Sequence, residues 1–312
     1  MKKQINLTVL ITFLLLSLYV VERPVKPVKT GKNRITTNSK AALNLLYAER
    51  LDKVSFILPE GHPYNNVGLS SGENKDVYLR FGDSLTVKDK SLHGSIFWYY
   101  CTLGRFSFYL PDVFVLENPG RIRYDKHGNI QTGREVVDRW TALPIHYKPN
   151  DLVRVPQAYL SEGSRNRMVL LRKNAALQFM SLIDAAEKEG LKIRIVSAYR
   201  DPVYQSYLYL NAIKKNGFFQ SSVAKPGHSE HQLGTTCDLT SDDISTGLTA
   251  DFEYTPAFLW LKENSYKYGI YISYPKFKTE ITGYEYEPWH FRYWGDKRWE
   301  GDMTFNRSYI SR

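Results

Sequence analysis

The sequence predicts an α+β protein in which an all-β segment precedes a segment of mixed helices and strands. Three observations predict this class. Short β-type runs separated by turn residues fill positions 53–117, an amphipathic helical face spans 170–189, and a strand-like alternation follows at 191–196. With 312 residues, of which 43% are hydrophobic and 24% charged, the chain can form two modest domains with buried cores.

The N-terminus begins with Met1, Lys2 and Lys3 and continues as an apolar run from Ile5 to Val21. A basic start before such a run is typical of an export signal or a short membrane anchor. We therefore expect residues 1–21 to be a signal or an uncleaved anchor, although about 17 residues is the lower limit for crossing a bilayer. The basic residues that follow the run favour the opposite orientation, because positive flanks tend to stay in the cytoplasm.

Residues 22–52 are predicted to form a basic tether that ends in a short helix at about 41–50. Residues 1–40 carry eight Lys or Arg and one acid, Glu22, so they account for +7 of the net charge of +10. The remaining residues carry only +3. A nucleic-acid partner is therefore not expected, because the basic excess belongs to the tail.

Residues 53–117 are predicted to be a small all-β domain. Val77, Leu79 and Phe81 alternate with polar residues, and Gly-containing turns separate the runs. The strand lengths and the sequence GDSLTV…FWYY…GRFSFY resemble a bacterial SH3-like module. Residues 118–139 are polar and turn-rich, which predicts a linker. The two cysteines, Cys101 and Cys237, fall in different predicted domains, so we expect free buried thiols and no disulfide.

The third region, residues 140–312, is predicted to contain three helices and several strands. The helical face of 170–189 ends at Gly190, and a strand follows it. Asp201-Pro202 predicts the start of a second helix that runs to Gly217, and Thr255-Pro256 the start of a third that ends before Gly269.

Two segments of this region contain the most informative residues. The first holds His231 and Asp238, and the second, about fifty residues later, holds Glu287 and His290. Two imidazoles, one carboxylate ligand and one spare carboxylate are what a hydrolytic zinc site requires: three ligands, an open position for water and a base beside it. Seven residues separate His231 from Asp238, which suits a loop and the strand that it enters. Gly234 between them allows a tight backbone turn.

The sequences SAYRD, PGHSEHQLGTTCDL and ITGYEYEPWHFRYWG resemble three blocks of the VanY-type D-alanyl-D-alanine carboxypeptidases. These are zinc peptidases of a group that includes the VanX dipeptidases, hedgehog-like folds and L,D-carboxypeptidase relatives. The resemblance covers about residues 140–296. It implies a zinc carboxypeptidase domain with a small antiparallel sheet flanked by helices.

The same resemblance assigns roles to individual positions. It implies one Zn²⁺ ion bound by His231, Asp238 and His290, with Glu287 as the catalytic base. Trp289 is expected to pack behind the site. Cys237 is expected to face the core, because its side chain alternates with that of Asp238 along a strand.

The substrate side of the site is assigned more narrowly. Arg200 matches the arginine that steadies the substrate carbonyl and the charge that develops on it, so it is a catalytic and substrate-binding candidate. Gln205 and Ser229 match positions that line the substrate pocket. His228 is interpreted as a packed histidine, with a supporting or pocket role as the alternative. Thr236 departs from the family pattern, which has Ala there.

The expected function is removal of terminal D-alanine from peptidoglycan stem peptides at the bacterial cell envelope. Expected partners are those stems, the cell wall and, through residues 1–21, the membrane. A D-Ala-D-Ala bond is favoured, and the L,D bond of a tetrapeptide is the open alternative. Two other functions are an endopeptidase that cuts within the stem or cross-bridge, and a non-catalytic wall-binding module with a vestigial zinc site. An intact Glu287 and Arg200 disfavour the non-catalytic module.

Overall fold

A computed structural model describes residues 53–117, 136–242 and 248–295, all of which belong to one compact unit. The expected anchor, the tether with its short helix, and residues 118–135 of the expected linker lie outside the described residues. Within the described ranges, no helix is long and apolar enough to cross a membrane.

The described residues contain thirteen strands and four α-helices. The strands are β1 (Lys53–Phe56), β2 (Glu60–Gly61), β3 (Leu79–Arg80), β4 (Ser84–His93), β5 (Ile96–Leu103), β6 (Phe106–Pro111), β7 (Val115–Glu117), β8 (Leu152–Arg154), β9 (Leu170–Arg172), β10 (Ile193–Ser197), β11 (Thr236–Ser241), β12 (Ile270–Ile272) and β13 (His290–Tyr293). The helices are α1 (Lys173–Lys188), α2 (Pro202–Asn216), α3 (Pro256–Asn264) and α4 (Thr279–Thr282).

The first half of the described chain forms a five-stranded antiparallel sheet with the order β6-β5-β4-β1-β7. Consecutive strands pair as hairpins because Gly94 and Gly104 adopt positive φ angles in the turns. Its core contains Phe56, Leu85 and Phe108, which are buried. The predicted β content of 53–117 is thus confirmed, and the SH3-like assignment stays a prediction.

The second half forms a four-stranded antiparallel sheet with the order β10-β11-β13-β12. Helix α1 packs on it through its apolar face, which contains Phe179, Leu182 and Ile183. Cys237 lies in the same core, and both cysteines are free and buried. The prediction of two free, buried thiols is confirmed, and so is the prediction that Cys237 faces the core. The sheet presents its other side to the residues of the site described below.

The helix ends follow the predicted signals. Asp201 caps α2 by accepting a hydrogen bond from the Tyr204 amide at 2.9 Å, with Pro202 in the first turn. Thr255 caps α3 in the same way through the Phe258 amide at 3.1 Å. The third helix ends at Asn264, earlier than its pattern suggests, because Ser265–Tyr268 tightens into a 3₁₀ turn before Gly269.

The N-terminal sheet packs directly against the second half of the chain. Tyr209 and Ile213 of α2 belong to the same buried cluster as the sheet residues. Lys225 donates from Nζ to the Asp112 carbonyl oxygen at 2.9 Å. The predicted domain boundaries stay predictions, but α2 of the second half contributes to the core of the N-terminal sheet.

Candidate metal centre

Strand register brings two of the predicted ligands together. In the pairing of β11 with β13, Asp238 lies directly opposite His290. Side chains of directly opposed residues point to the same face of an antiparallel sheet, so the carboxylate and the imidazole meet. Two residues 52 positions apart in the sequence therefore become neighbours through the pairing of these strands.

The third ligand candidate comes from the 3₁₀ turn Glu230–Leu233, which precedes β11 and contains His231. The turn closes at Gly234, whose φ is 72°. A Cβ at this position would lie 3.0 Å from Leu152 and 3.1 Å from Arg172, so glycine is needed for both conformation and space. The sequence prediction for Gly234 is confirmed.

His231, Asp238 and His290 form a buried cluster whose candidate ligand atoms all lie within 4.8 Å of one another. The Nε2 atom of His231 is 3.2 Å from Oδ2 of Asp238. The Nδ1 atom of His290 is 3.3 Å from Oδ1 of the same carboxylate. Among the described residues, this is the group that brings three such side chains together.

Hydrogen bonds on the far side of each imidazole fix which nitrogen faces the cluster. His231 donates from Nδ1 to the Ala198 carbonyl oxygen at 2.7 Å, which leaves Nε2 as the ligand atom. His290 donates from Nε2 to Glu230 at 3.1 Å, which leaves Nδ1. Such outer partners orient metal-binding histidines and raise their basicity.

Glu230 and Arg292 are functional residues that the sequence analysis missed. Arg292 donates from Nη1 to Oε1 of Glu230 at 2.7 Å, and both side chains are almost completely buried. Burial alone would raise the pKa of Glu230, but the Arg292 charge and the His290 hydrogen bond lower it to about 2. Glu230 therefore stays ionised and holds His290 in place.

The cluster fits a zinc ion. Oδ1 of Asp238 is buried, and the nearby group is Nδ1 of His290 at 3.3 Å, the nitrogen left free to bind metal; a buried carboxylate oxygen is costly without a cation. Two imidazole nitrogens and one carboxylate oxygen match the three protein ligands of hydrolytic zinc sites. Despite burial, the nearby carboxylates of Asp238 and Glu230 raise the pKa of His290 to about 10. A metal must therefore displace a proton from His290 when it binds.

Glu287 lies beside the cluster as predicted. Its Oε2 atom is 3.4 Å from Nδ1 of His290, and the side chain keeps 26% of its exposure. Its backbone amide donates to the Tyr274 carbonyl oxygen at 3.0 Å, and the Tyr274 ring stacks on His290 at 4.5 Å. Burial is the main reason why the pKa of Glu287 rises to about 7.

Arg200 reaches the same cluster from the end of β10. Its Nη2 atom is 4.0 Å from Oδ2 of Asp238, and its Nη1 atom donates to Oε1 of Gln205 at 2.9 Å. Gln205 is buried and donates from Nε2 to the Ala224 carbonyl oxygen at 2.8 Å. Because both ends of the Gln205 amide are bonded, the structure gives this residue contacts that orient Arg200.

The remaining sequence candidates lie near the cluster without joining it. Ser229 is buried at the start of the 3₁₀ turn. His228 is buried too, and its Nδ1 donates to the Asp138 carbonyl oxygen at 2.8 Å, which agrees with a packed histidine. Trp289 packs against the core behind the sheet, as predicted.

Comparison with known proteins identifies the family. A profile described as VanY, D-alanyl-D-alanine carboxypeptidase, matches residues 168–296. A D-alanyl-D-alanine carboxypeptidase of Enterococcus faecalis is 32% identical over 195 residues, which cover 58% of this chain and 67% of the relative. The chain belongs to the VanY family. All four residues of the predicted metal centre, His231, Asp238, Glu287 and His290, lie within the matched range.

Two further relatives extend this match. A putative carboxypeptidase of Bacillus subtilis, YodJ, is 40% identical over 164 residues, which are 52% of this chain and 60% of that protein. The chain thus spans less than two thirds of the length of that relative. The solved structure of the LdcB LD-carboxypeptidase is 37% identical and superposes with a TM-score of 0.50, covering 57% of this chain and 85% of LdcB.

Proposed function

We propose that this VanY-family chain is a zinc carboxypeptidase that removes terminal D-alanine from peptidoglycan stem peptides. The observation that carries the proposal is the meeting of three ligand atoms with a carboxylate, Glu287, and a guanidinium, Arg200, at one buried cluster. A binding module would not need an acid–base group and a cation beside a metal. The names of the relatives supply the substrate class.

The metal would be held by Nε2 of His231, Nδ1 of His290 and the carboxylate of Asp238. A zinc ion bound there would lower the pKa of a water molecule and polarise the carbonyl of the scissile bond. The three side chains are buried, which restricts their motion and helps to keep the ligand atoms in one arrangement.

Glu287 is suited to move the proton in this reaction. With a pKa of about 7, raised mainly by burial, its carboxylate is a stronger base than an exposed glutamate and is still partly ionised at neutral pH. It can accept a proton from the attacking water and return it to the amine that leaves. Its place three residues before His290 puts it beside the cluster without making it a ligand.

Arg200 is suited to stabilise the negative charge that develops on the carbonyl oxygen. Gln205 binds Nη1 at 2.9 Å and Ser197 lies 3.4 Å from Nη2, so the guanidinium is held in a fixed position. A preorganised cation needs no rearrangement when the charge appears. We assign Gln205 as a positioning residue and retain Ser229 as a pocket residue.

Two bonds are candidates for cleavage. The D-Ala-D-Ala bond of a pentapeptide is favoured by the names of the Enterococcus relative and of the family profile. The L,D bond of a tetrapeptide is favoured by the match to LdcB, which is named an LD-carboxypeptidase. Both reactions release one D-alanine and use the same residues.

The test is a digest of two purified stems, a pentapeptide ending in D-Ala-D-Ala and a tetrapeptide ending in one D-Ala, followed by mass spectrometry. Loss of one alanine from either stem identifies the bond. The loss should stop when a chelator is added and return with zinc. Larger products would identify an endopeptidase, and unchanged stems of both lengths would overturn the proposal.

For the N-terminal part, we propose that residues 1–21 direct export and anchor the protein at the cell envelope, facing the periplasm or cell wall. The basic start and the apolar run support this. We also propose that the five-stranded sheet belongs to an SH3-like module. Fractionation of cells that express the full chain, compared with a chain that begins at residue 22, tests the anchor; equal solubility of both would refute it.

A further inference from the structure

A cavity of about 330 Å³ lies where the N-terminal sheet meets the segment that leads to the metal centre. Its lining includes Val115 and Leu116 of β7 together with Lys225 and His228. This volume is at the lower end of the range for small-ligand pockets. None of the three metal-ligand candidates lines it, and neither does Glu287 or Arg200.

Among the described residues that line the cavity, basic side chains outnumber acidic ones. Three basic side chains, Lys90, Arg139 and Lys225, line it together with two acidic ones, Asp112 and Glu117. Glu117 is already neutralised, because Lys90 binds it at 2.7 Å and the Tyr99 hydroxyl donates to it. The described lining residues therefore carry one positive charge in excess.

Two of the cations retain donors that face no carboxylate at hydrogen-bond distance within the described residues. Lys225 donates one hydrogen bond from Nζ to the Asp112 carbonyl oxygen at 2.9 Å. Arg139 donates to the Ser221 carbonyl oxygen at 3.2 Å and lies over the Tyr284 ring. Ammonium and guanidinium groups beside an open volume are the usual partners of a carboxylate.

His228 adds a different recognition group. Its Nδ1 donates to the Asp138 carbonyl oxygen, so Nε2 is the atom left to accept a hydrogen bond. Burial, helped by the charge of Lys225, lowers the pKa of His228 to about 4, which keeps the ring neutral at pH 7. A neutral acceptor beside two cations suits a ligand with both a carboxylate and an amide N–H.

We propose that this cavity is a second binding site, separate from the metal centre, and that it takes the acidic side chain of a peptide. The carboxylate binds Lys225 and Arg139, the adjacent amide N–H donates to His228, and the methylene groups contact Val115 and Leu116. The site needs both halves of the chain, because the apolar wall comes from the N-terminal sheet.

The position of the cavity links it to the metal centre through one short loop. Gly227 lies between Lys225 and His228, and a Cβ there would approach Leu116 at 3.0 Å and the Leu143 carbonyl oxygen at 3.1 Å. The loop is therefore clamped against the N-terminal sheet and continues directly to His231. A peptide in the cavity lies beside the segment that presents the first metal ligand.

The test uses N-acetylglutamate α-amide and N-acetylglutamine α-amide as probes, with calorimetry on the full chain. These probes have the same shape and differ by one carboxylate, and neither has the free C-terminus that a carboxypeptidase requires. The glutamate probe should bind at least about tenfold more tightly than the glutamine probe. Its affinity should be the same for the zinc-loaded and the chelated protein.

Variants locate the binding. Arg139→Gln, at an exposed position, and Lys225→Met should each weaken binding of the glutamate probe by about tenfold. Lys267→Gln, an exposed lysine in the 3₁₀ turn after α3, is the matched control and should change nothing. Arg139→Gln keeps the test valid if Lys225→Met fails to fold.

Three results would overturn the proposal: equal affinity for the two probes, loss of binding on chelation, or unchanged binding in Arg139→Gln. Inorganic phosphate is a further arm. Binding of phosphate more tightly than the glutamate probe would identify a phosphate site and refute the peptide assignment. Because neither probe is a substrate, these outcomes are independent of whether the stem digest succeeds.

Discussion

The five-stranded sheet near the N-terminus and the four-stranded sheet that carries the metal ligands are both antiparallel, but they bury different side chains. Among the described residues of 53–117, the buried side chains are apolar or aromatic, and none of their buried polar atoms lacks a hydrogen-bond partner. Strand β11 buries all six of its residues, and four of them, Thr236, Asp238, Thr240 and Ser241, are polar. Both sheets have a full apolar core on one face.

The difference shows that placing polar groups at a buried site lowers the stability of the fold. A buried polar group loses its bonds to water, and an unpaired one destabilises the protein by about 1–3 kcal/mol. The N-terminal sheet avoids that cost throughout. The four-stranded sheet accepts it beside the cluster, where a dry, rigid environment strengthens electrostatic interactions. Buried polar residues that neither bind metal nor move protons should therefore be replaceable.

The largest expected effect comes from the proton carrier. Glu287→Ala should lower kcat by about 10³-fold while zinc remains bound, because the carboxylate acts on the proton and ligates nothing. Stem digestion gives the rate, and metal analysis after dialysis gives the zinc content. Glu285→Gln, an exposed acid two residues away, is the control and should keep full activity. Unaltered turnover in Glu287→Ala would refute the assigned role.

The next effect concerns the guanidinium. Arg200→Met should lower kcat by about 10²-fold or more and change zinc content little, because its nearest approach to the cluster is 4.0 Å. Arg194→Gln is the matched control, because Arg194 lies in the strand β10 that leads to Arg200 and its side chain pairs with the exposed Glu187. An equal loss in both variants would mean that strand β10, and not the charge of Arg200, is what matters.

A stability effect should follow from His228. Its folded-state pKa of about 4 lies below the unfolded value of 6.5, so the unfolded chain binds more protons between these values. Stability is therefore fully present above pH 6.5 and is lost as pH falls toward 4, by about 2 kcal/mol at pH 5.

Urea unfolding at pH 7.5 and pH 5 measures this loss, and His228→Asn is the comparison. The variant should lose about 2 kcal/mol less than the parent over that interval. If both proteins lose the same free energy of unfolding, the acid sensitivity comes from other groups, and burial of His228 does not contribute to it.

The smallest expected effect tests whether a buried polar side chain outside the metal cluster can be replaced by an apolar one. The Oγ1 atom of Thr236 is buried without a hydrogen-bond partner among the described residues, and the family pattern has Ala at this position. Thr236→Ala should raise the free energy of unfolding by about 1 kcal/mol and leave kcat unchanged. Thr86→Ala, on a half-buried position of β4, should not stabilise the protein. Destabilisation by Thr236→Ala would show that the hydroxyl has a structural role.

The sequence was sufficient for the parts of the site that lie in short motifs. His231, Asp238, Glu287 and His290 were predicted, because spacing and neighbouring residues mark them in one segment each. The helix starts at Asp201 and Thr255 were predicted for the same reason, since capping is local.

Contacts between distant residues were not predictable. In the sequence, nothing distinguishes Glu230 from an ordinary acidic residue between two histidines. In the structure it binds Arg292 and His290, which lie 60 or more positions away. The burial that raises the pKa of Glu287 depends on the complete fold as well. The cavity beside Lys225 forms only where β7 contacts the loop before His231. No periodic pattern in the sequence predicts that contact.

The pairing of Asp238 with His290 across β11 and β13 has a consequence for assembly. A slip of one residue in this pairing would turn Cys237 toward the cluster and the carboxylate toward the apolar core. A misaligned sheet would thus lack a complete set of ligands and would gain nothing from the metal. Zinc binding therefore acts as a check on strand alignment, and it adds its free energy only to chains that have paired correctly.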